Sequence, residues 1–264
     1  MTYIEYLRST GKSENTINAY QMAVDSFFRS FSECNSVNLS AFKTQLVEKY
    51  CPRTVNLRIS AMNSYLEYSK SDLRIQTIRF KQQTFVENVI SFADYECLKT
   101  GLKNDGNQLW YFLVRFLGST GSRINELLQF KVEHITLGYA DLYAKGGKIR
   151  RIYIPNRLQT EAIEWLKEIK LQSGFVFINT KGHPMTAKGV SSQLKKLAVR
   201  YGIDVSVVYP HSFRHMFAKT FMQRYNDIAL LADLLGHESI ETTRIYLRMT
   251  SNEQRIIVNK TVDW

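Results

Sequence analysis

The chain has 264 residues, 44% of them hydrophobic, enough for one large or two ordinary domains with real cores. A net charge of +11 and a pI near 9.5 point to an anionic partner, nucleic acid being the commonest, without selecting one. Cys34, Cys51 and Cys97 have neither zinc nor disulfide spacing, and no run reaches the roughly 18 apolar residues of a membrane span; the composition excludes a disulfide scaffold and a membrane protein and suits reduced thiols in the cytoplasm.

The basic excess is spread along the chain, with 11 Lys and Arg against 8 Asp and Glu in residues 1–88 and 24 against 16 in residues 89–264. Residues 1 to about 70 read as helices. From Asn15 to Phe31, Ile17, Tyr20, Val24, Phe27, Phe28 and Phe31 recur at helical spacing, with Ser13 or Asn15 as cap. Asn38 to Tyr50 and Thr54 to Tyr68 repeat the pattern on either side of Pro52. Val55, Ile59, Met62, Tyr65 and Leu66 form the inward stripe of the last, and Arg53, Asn56, Arg58 and Asn63 lie off it. This predicts a bundle of roughly four helices with a basic and amide-rich side that suits phosphates, although the same pattern serves an ordinary interaction bundle. Polar and basic residues from Lys70 to Gln83 then predict an interdomain linker over 71–88, separating a domain at 1–70 from one at 89–264.

Ser91 caps the next helix, and Gln108 to Thr120 is a strongly apolar core helix broken by Gly118 and Gly121. A helix is predicted from Arg123 to Phe130. The period then changes: Ala140 to Ala144 and Arg151 to Pro155 read as strands of a hairpin whose tip is Lys145-Gly146-Gly147-Lys148. A helix over Gln159 to Leu171, a short strand over Phe175 to Ile178 and a basic amphipathic helix over Thr186 to Tyr201, bearing Lys188, Lys195 and Lys196, follow. The fold class is therefore mainly α with a small antiparallel β-sheet.

The chemistry concentrates between Tyr209 and Met249, which holds Pro210-His211-Ser212-Phe213-Arg214-His215, then Leu235-Gly236-His237, then Arg244-Ile245-Tyr246. Pro210 opens a helix that places His211 and Arg214 on one face, and Gly236 is the expected left-handed cap of a helix over Asp227 to Leu235. The order His-x-x-Arg-His, Leu-Gly-His and a tyrosine nine residues on resembles the tyrosine recombinase (phage integrase) family. Gly121-Ser122-Arg123-Ile124-Asn125-Glu126-Leu127 is similar to that family's first-arginine motif, and Lys145-Gly146-Gly147-Lys148-Ile149-Arg150 to its hairpin-lysine motif.

The resemblance implies a helical, SAM-like core-binding domain, here contacting DNA through Arg53 and Arg58, followed by a catalytic domain with Lys188, Lys195 and Lys196 on DNA. It implies a site-specific recombinase, Xer-like or from a mobile element, that cleaves and rejoins DNA through a 3′-phosphotyrosyl intermediate. Arg123 and Arg214 suit the non-bridging phosphate oxygens because a guanidinium donates two hydrogen bonds and keeps its charge. A tyrosine of pKa about 10 needs help to attack: the resemblance singles out Tyr246, with His211 as base and His237 on a phosphate oxygen or positioning the tyrosine. Lys145, or Lys148 three residues on, would protonate the leaving 5′ oxygen. Glu126 and His215 support the site, and no metal, cofactor or ATP is expected. The partners implied are duplex recombination sites and a homo-oligomer, tetrameric at synapsis, with accessory DNA-bending proteins as a further possibility; the apolar tail 252–264 would dock on a neighbouring protomer. A monomeric type IB topoisomerase-like nicking-closing enzyme and a DNA-binding factor without catalysis are the rival readings.

Overall fold

In the computed structural model, residues 1–80, 88–143, 149–237, 239–244 and 251–262 are described, the side chains of 251–254 and 257 excepted. The chain divides into two units, Met1–Gln82 and Gln83–Trp264.

In the first unit, helices α1 (Tyr3–Ser9), α2 (Glu14–Phe28), α3 (Ser36–Lys49) and α4 (Pro52–Tyr68) form the bundle. Thr2, Ser13 and Asn35 cap the first three by accepting backbone N–H groups, and Pro52 starts the fourth where its missing donor costs nothing. Leu7, Ile17, Val24, Phe27, Phe42, Leu46, Val55, Ile59, Met62 and Leu66 make its core. The extended segment after α4 belongs to this core as well. Ile75 is buried, and Asn63 exchanges two hydrogen bonds with the backbone of Ile75, both 2.9 Å; Asn56 does the same with Ile78, again both 2.9 Å. Two side-chain amides, two helical turns apart on α4, thus stand in for a neighbouring strand and hold the start of the expected linker on the bundle.

The second unit carries α5 (Phe92–Asn104), α6 (Gln108–Thr120), α7 (Ile124–Leu127), α8 (Val132–Leu137), strands β1 (Tyr139–Tyr143) and β2 (Ile149–Tyr153), then α9 (Asn156–Glu168), α10 (Ala187–Arg200), α11 (Pro210–Tyr225), α12 (Ile228–Leu235), α13 (Ile240–Arg244) and α14 (Ser251–Thr261). Helix α6 supplies Phe112, Leu113, Val114, Phe116 and Leu117 to the core and packs against α5, α9 and α11. The strands pair antiparallel with Leu142 opposite Arg150 and Ala140 opposite Ile152.

Two predicted elements differ. The helix expected from Arg123 to Phe130 is α7 alone, because the chain turns after Leu127 to send Phe130 into the core, where its carbonyl accepts from Val176 at 3.0 Å. The strand expected at Phe175 to Ile178 makes, among the described residues, isolated bridges alone, Lys131 with Phe175 and Ile178 with Pro184, since each end faces a different segment. Helix α8, only six residues long, lies between.

Candidate active site

Four helix ends and one strand build the site. Helix α6 terminates at Gly121, whose φ of 59° is left-handed. Its carbonyl accepts from Arg214 Nη1 at 2.7 Å. Helix α12 terminates at Gly236, with φ 62° and ψ 51°, the cap expected from the sequence. Its last two carbonyls point at two different arginines: Leu234 accepts from Arg150 Nε and Nη2 at 3.1 and 2.6 Å, and Leu235 from Arg214 Nη2 at 2.7 Å. Carbonyls at a helix C-terminus lack intrahelical partners and carry the negative end of the dipole, so they suit cations.

Arg214 is fully buried on α11. A guanidinium removed from water is tolerable only when hydrogen-bonded, and rigid backbone oxygens from the ends of α6 and α12 meet that need. They also fix the plane of the group. Arg214 Nη2 lies 2.8 Å from His237 Nε2, and His237 Nδ1 lies 2.8 Å from Thr243 Oγ1.

Arg123 is the N-cap of α7. Its backbone N–H donates to Glu126 Oε2 at 2.7 Å and its Nη1 to Oε1 at 2.8 Å. The same carboxylate accepts from Arg150 Nη1, so Glu126 sits between two arginines. Burial by itself would raise the Glu126 pKa; Arg150, then the hydrogen bonds and charge of Arg123, bring it below the ordinary carboxylate value. The side chain of Arg123 remains 41% exposed while that of Arg150 is 4% exposed. Of the two, Arg123 is the one open to a ligand.

His211, on the first turn of α11, keeps a solvent-facing edge. Partial desolvation, then the charges of Arg214 and Arg123, lower its pKa, and its ring meets His215 edge to face at 4.8 Å. Desolvation, His211 and Arg214 push His215 down to about 4; desolvation and the nearby arginines do the same to His237. All three rings are neutral near pH 7.

The described residues therefore bring Arg123, Glu126, His211, Arg214, His215 and His237 into one region. Lys145, Lys148 and Tyr246 lie outside the described residues. Lys188, Lys195 and Lys196 are exposed on α10. Arg53 is exposed on α4, and Arg58 stacks over the Tyr50 ring at 4.2 Å. Among the described residues no three His, Cys, Asp or Glu side chains converge as a metal site, and no helix is long and apolar enough to cross a membrane.

Two residues were not singled out from the sequence. Arg150 had a readable signal: Ile152 and Ile154 face inward, and the period of a strand puts Arg150 on the same side, with Arg151 outward on Asp141 at 2.7 and 2.8 Å. Thr243 had none.

Known proteins share this arrangement of segments. The pattern of the phage integrase family matches residues 86–253, and that of the phage integrase N-terminal SAM-like domain matches residues 1–72. The chain belongs to the phage integrase family. A tyrosine recombinase of Agathobacter rectalis is 29% identical, with 98% of this chain and 94% of that protein covered. Tyrosine recombinase XerA of Pyrococcus horikoshii is 27% identical over 98% and 91%. The fold is similar to that of the Tn1549 transposon integrase in complex with transposon right end DNA, with a TM-score of 0.72 at 17% identity over 99% and 98% of the two chains. It is similar also to XerH site-specific recombinase bound to difH substrate, with a TM-score of 0.69 at 20% identity over 94% and 80%. Within the phage integrase family, then, this chain holds Arg150 and Arg214 on successive carbonyls of the α12 terminus, with Arg123 joined to Arg150 through Glu126.

Proposed function

We propose that the chain is a site-specific DNA recombinase in which Arg123 and Arg214 bind the scissile phosphate and Tyr246 attacks it. The carrying observation is the pair of guanidinium groups held by rigid acceptors, with the neutral His211 ring beside them. As the phenolic oxygen of Tyr246 bonds to phosphorus, His211 takes the phenol proton. The bond to the 5′ oxygen breaks, and Lys145 or Lys148 gives that oxygen a proton. The product is a 3′-phosphotyrosyl strand that keeps the energy of the cleaved bond, so a 5′ hydroxyl from another strand reverses the step without ATP. Arginine charge does the work that a divalent ion does elsewhere, since each fixed donor aimed at the transition state is worth about 10²–10³ in rate.

In this reading Glu126 orients Arg123, and His215 lines the site without touching the phosphate. Residues 1–70 form the core-binding domain and 89–264 the catalytic domain. Arg53, Arg58, Lys188, Lys195 and Lys196 contact the duplex backbone, a contribution that weakens with salt. Two duplex sites are held by four protomers in the cytoplasm, with accessory DNA-bending proteins where the site demands them. The retained set of arginines and histidines favours this reading over a factor without catalysis.

The test uses a nicked duplex that traps the covalent adduct. Tyr246→Phe is expected to bind this DNA as the wild type does and to form no adduct; an adduct formed at the wild-type rate overturns the assignment. A duplex with sulfur at the leaving 5′ position identifies the proton donor, because the variant whose rate it restores, Lys145→Ala or Lys148→Ala, marks the lysine that acts.

A further inference from the structure

The hairpin divides its side chains by the period of a strand. Ala140, Leu142, Arg150 and Ile152 are buried, whereas Tyr139, Asp141, Tyr143, Ile149, Arg151 and Tyr153 alternate with them on the outer face. The solvated face of an antiparallel sheet is ordinarily polar. Here the cross-strand pairs set Tyr139 against Tyr153 and Tyr143 against Ile149, and Tyr143, Ile149 and Tyr153 are 79%, 62% and 58% exposed. Between those pairs Arg151 answers the carboxylate of Asp141 with two hydrogen bonds, at 2.8 and 2.7 Å, and its guanidinium lies 4.1 Å from the centre of the Tyr139 ring. Over residues 139–153 four Lys and Arg stand against one acidic residue, Asp141. That excess opposes the approach of a second copy of the same face and favours a polyanion. Exposed rings beside positive charge are the combination on which an unpaired nucleic-acid strand stacks its bases.

We propose that the outer face of the β1–β2 hairpin binds the bases of an unpaired DNA strand, with Tyr143 and Tyr153 as its stacking rings. Tyr143 lies at the end of β1 and Tyr153 at the far end of β2, opposite Tyr139, so four residues of strand separate them. That is about 13 Å, room for about four nucleotides at the rise of a stacked strand. The role of this face rests on the recombinase reading above. In that reading the strand concerned is the one that ends in the freed 5′ hydroxyl, and Tyr143 precedes Lys145, one of the two lysines proposed to protonate that oxygen, by two residues in the sequence. Once cut, this strand must leave its old complement before it can attack elsewhere. Stacking on the hairpin shelters the bases that unpairing exposes, and sequence matters little to it because every base has a π-face.

The test is equilibrium binding of the full chain carrying Tyr246→Phe to a nicked duplex whose 5′ end at the nick is either paired or extended by about four unpaired nucleotides. The unpaired extension is expected to raise affinity about tenfold, the worth of stacking one or two bases, and to quench a 2-aminopurine placed in it. An extension with the same phosphates and no bases should give none of that gain. Tyr143→Ser with Tyr153→Ser should remove the gain and the quenching while affinity for the fully paired nicked duplex stays within about twofold. A baseless extension that binds as tightly as the natural one overturns the proposal, because phosphate contacts alone would then explain the gain. So does a double tyrosine variant that keeps the gain. A double variant that keeps it and loses cooperative binding to paired half-sites assigns the face to contacts between protomers instead. Should the double variant not fold, the natural and baseless extensions still decide on the parent chain. The binding is read without any cleavage, so an adduct that forms normally in Tyr246→Phe defeats the recombinase reading alone, and a missing gain on a duplex that still binds defeats this proposal alone.

Discussion

Arg150 grips the carbonyl of Leu234 with two of its nitrogens, Nε at 3.1 Å and Nη2 at 2.6 Å. Its remaining terminal nitrogen binds the Glu126 carboxylate, so one buried side chain joins the hairpin, the arginine motif and the end of α12. Replacing it with methionine keeps the length and removes both links, leaving Glu126 buried with Arg123 alone. A broken buried ion pair typically costs 3 kcal/mol or more. Arg150→Met is expected to lower the urea midpoint of the full chain accordingly and to slow adduct formation, because Glu126 no longer holds Arg123 in one place. Arg150→Lys should recover little, since an ammonium is a point charge that cannot span the carbonyl and the carboxylate with a fork. A lysine variant as stable as the wild type would show that charge alone suffices.

Gly236 is tied to the same contact. A Cβ built there would fall 2.4 Å from Arg150 Cδ, and the φ of 62° already disfavours other residues. Gly236→Ala is therefore expected to destabilise the chain by more than the roughly 1 kcal/mol of a left-handed alanine, as read from the same urea curves. In the Arg150→Met background the excess should shrink, because the methionine chain is free to move; equal costs in both backgrounds would separate the glycine from the arginine.

Much of this was legible in the residue pattern. The apolar run of α6, the period change at the hairpin, Pro210 at a helix start and Gly236 at a helix end each carry a local signature that needs no tertiary partner. What was not legible depends on the partner. Phe175 to Ile178 has strand composition, but among the described residues no second strand comes to lie beside it. Asn56 and Asn63 read as polar residues off the apolar stripe, and only the folded chain brings the Ile75 and Ile78 backbones to them. Arg150 and Arg151 are neighbours of one type, separated by register alone: one is buried against Glu126 and the other is out on Asp141. Thr243 lies in Thr-Thr, and nothing local says which hydroxyl meets a histidine.

The histidines give a pH dependence with a definite sign. His215 and His237 titrate at about 4 in the folded chain, and His211 is lowered as well, against about 6.5 in the unfolded chain. Between those values the unfolded state binds more protons, so stability rises with pH. It is fully present above about 6.5, declines as pH falls toward 4, and Glu126 adds a further loss at lower pH as its own depressed pKa is passed. Urea midpoints measured from pH 8 to pH 4 are expected to fall through this window, and His215→Gln to fall less. Adduct formation should decline over the same side of the profile as His211 takes a proton and ceases to be a base. A rate that increases on acidification would remove His211 from that role.

The asparagine pair makes a local prediction. Asn63→Leu keeps the volume but leaves the Ile75 N–H and carbonyl without their amide partner, at a cost of about 1–3 kcal/mol. In the full chain, hydrogen exchange at the Ile75 amide is expected to accelerate strongly in this variant, while Ile78, still bound to Asn56, changes less. Asn56→Leu should reverse the order. Uniform acceleration of both amides in either variant would mean that the segment detaches as one piece and that the two asparagines act together.

The last prediction concerns the end of the chain. Ile256 and Val258 on helix α14, and Val262 just beyond its end, are 45%, 55% and 46% exposed, three β-branched residues on a segment that follows the proposed nucleophile by only a few positions. Burying each such side chain fully is worth about 1.5–3 kcal/mol, and roughly half of that is still outstanding here. A second copy of the chain is the expected cover, because a tail that docks on a neighbour would link the placement of Tyr246 to assembly on paired sites. Ending the chain at Ser251 should leave affinity for a single half-site within about twofold. It should weaken cooperative binding to paired half-sites about tenfold or more, measured by gel shift across a protein titration. The triple change Ile256→Ser, Val258→Ser, Val262→Ser should do the same with the helix length kept. If the shortened chain assembles as cooperatively as the full one, these apolar side chains do not join protomers, and α14 serves its own domain.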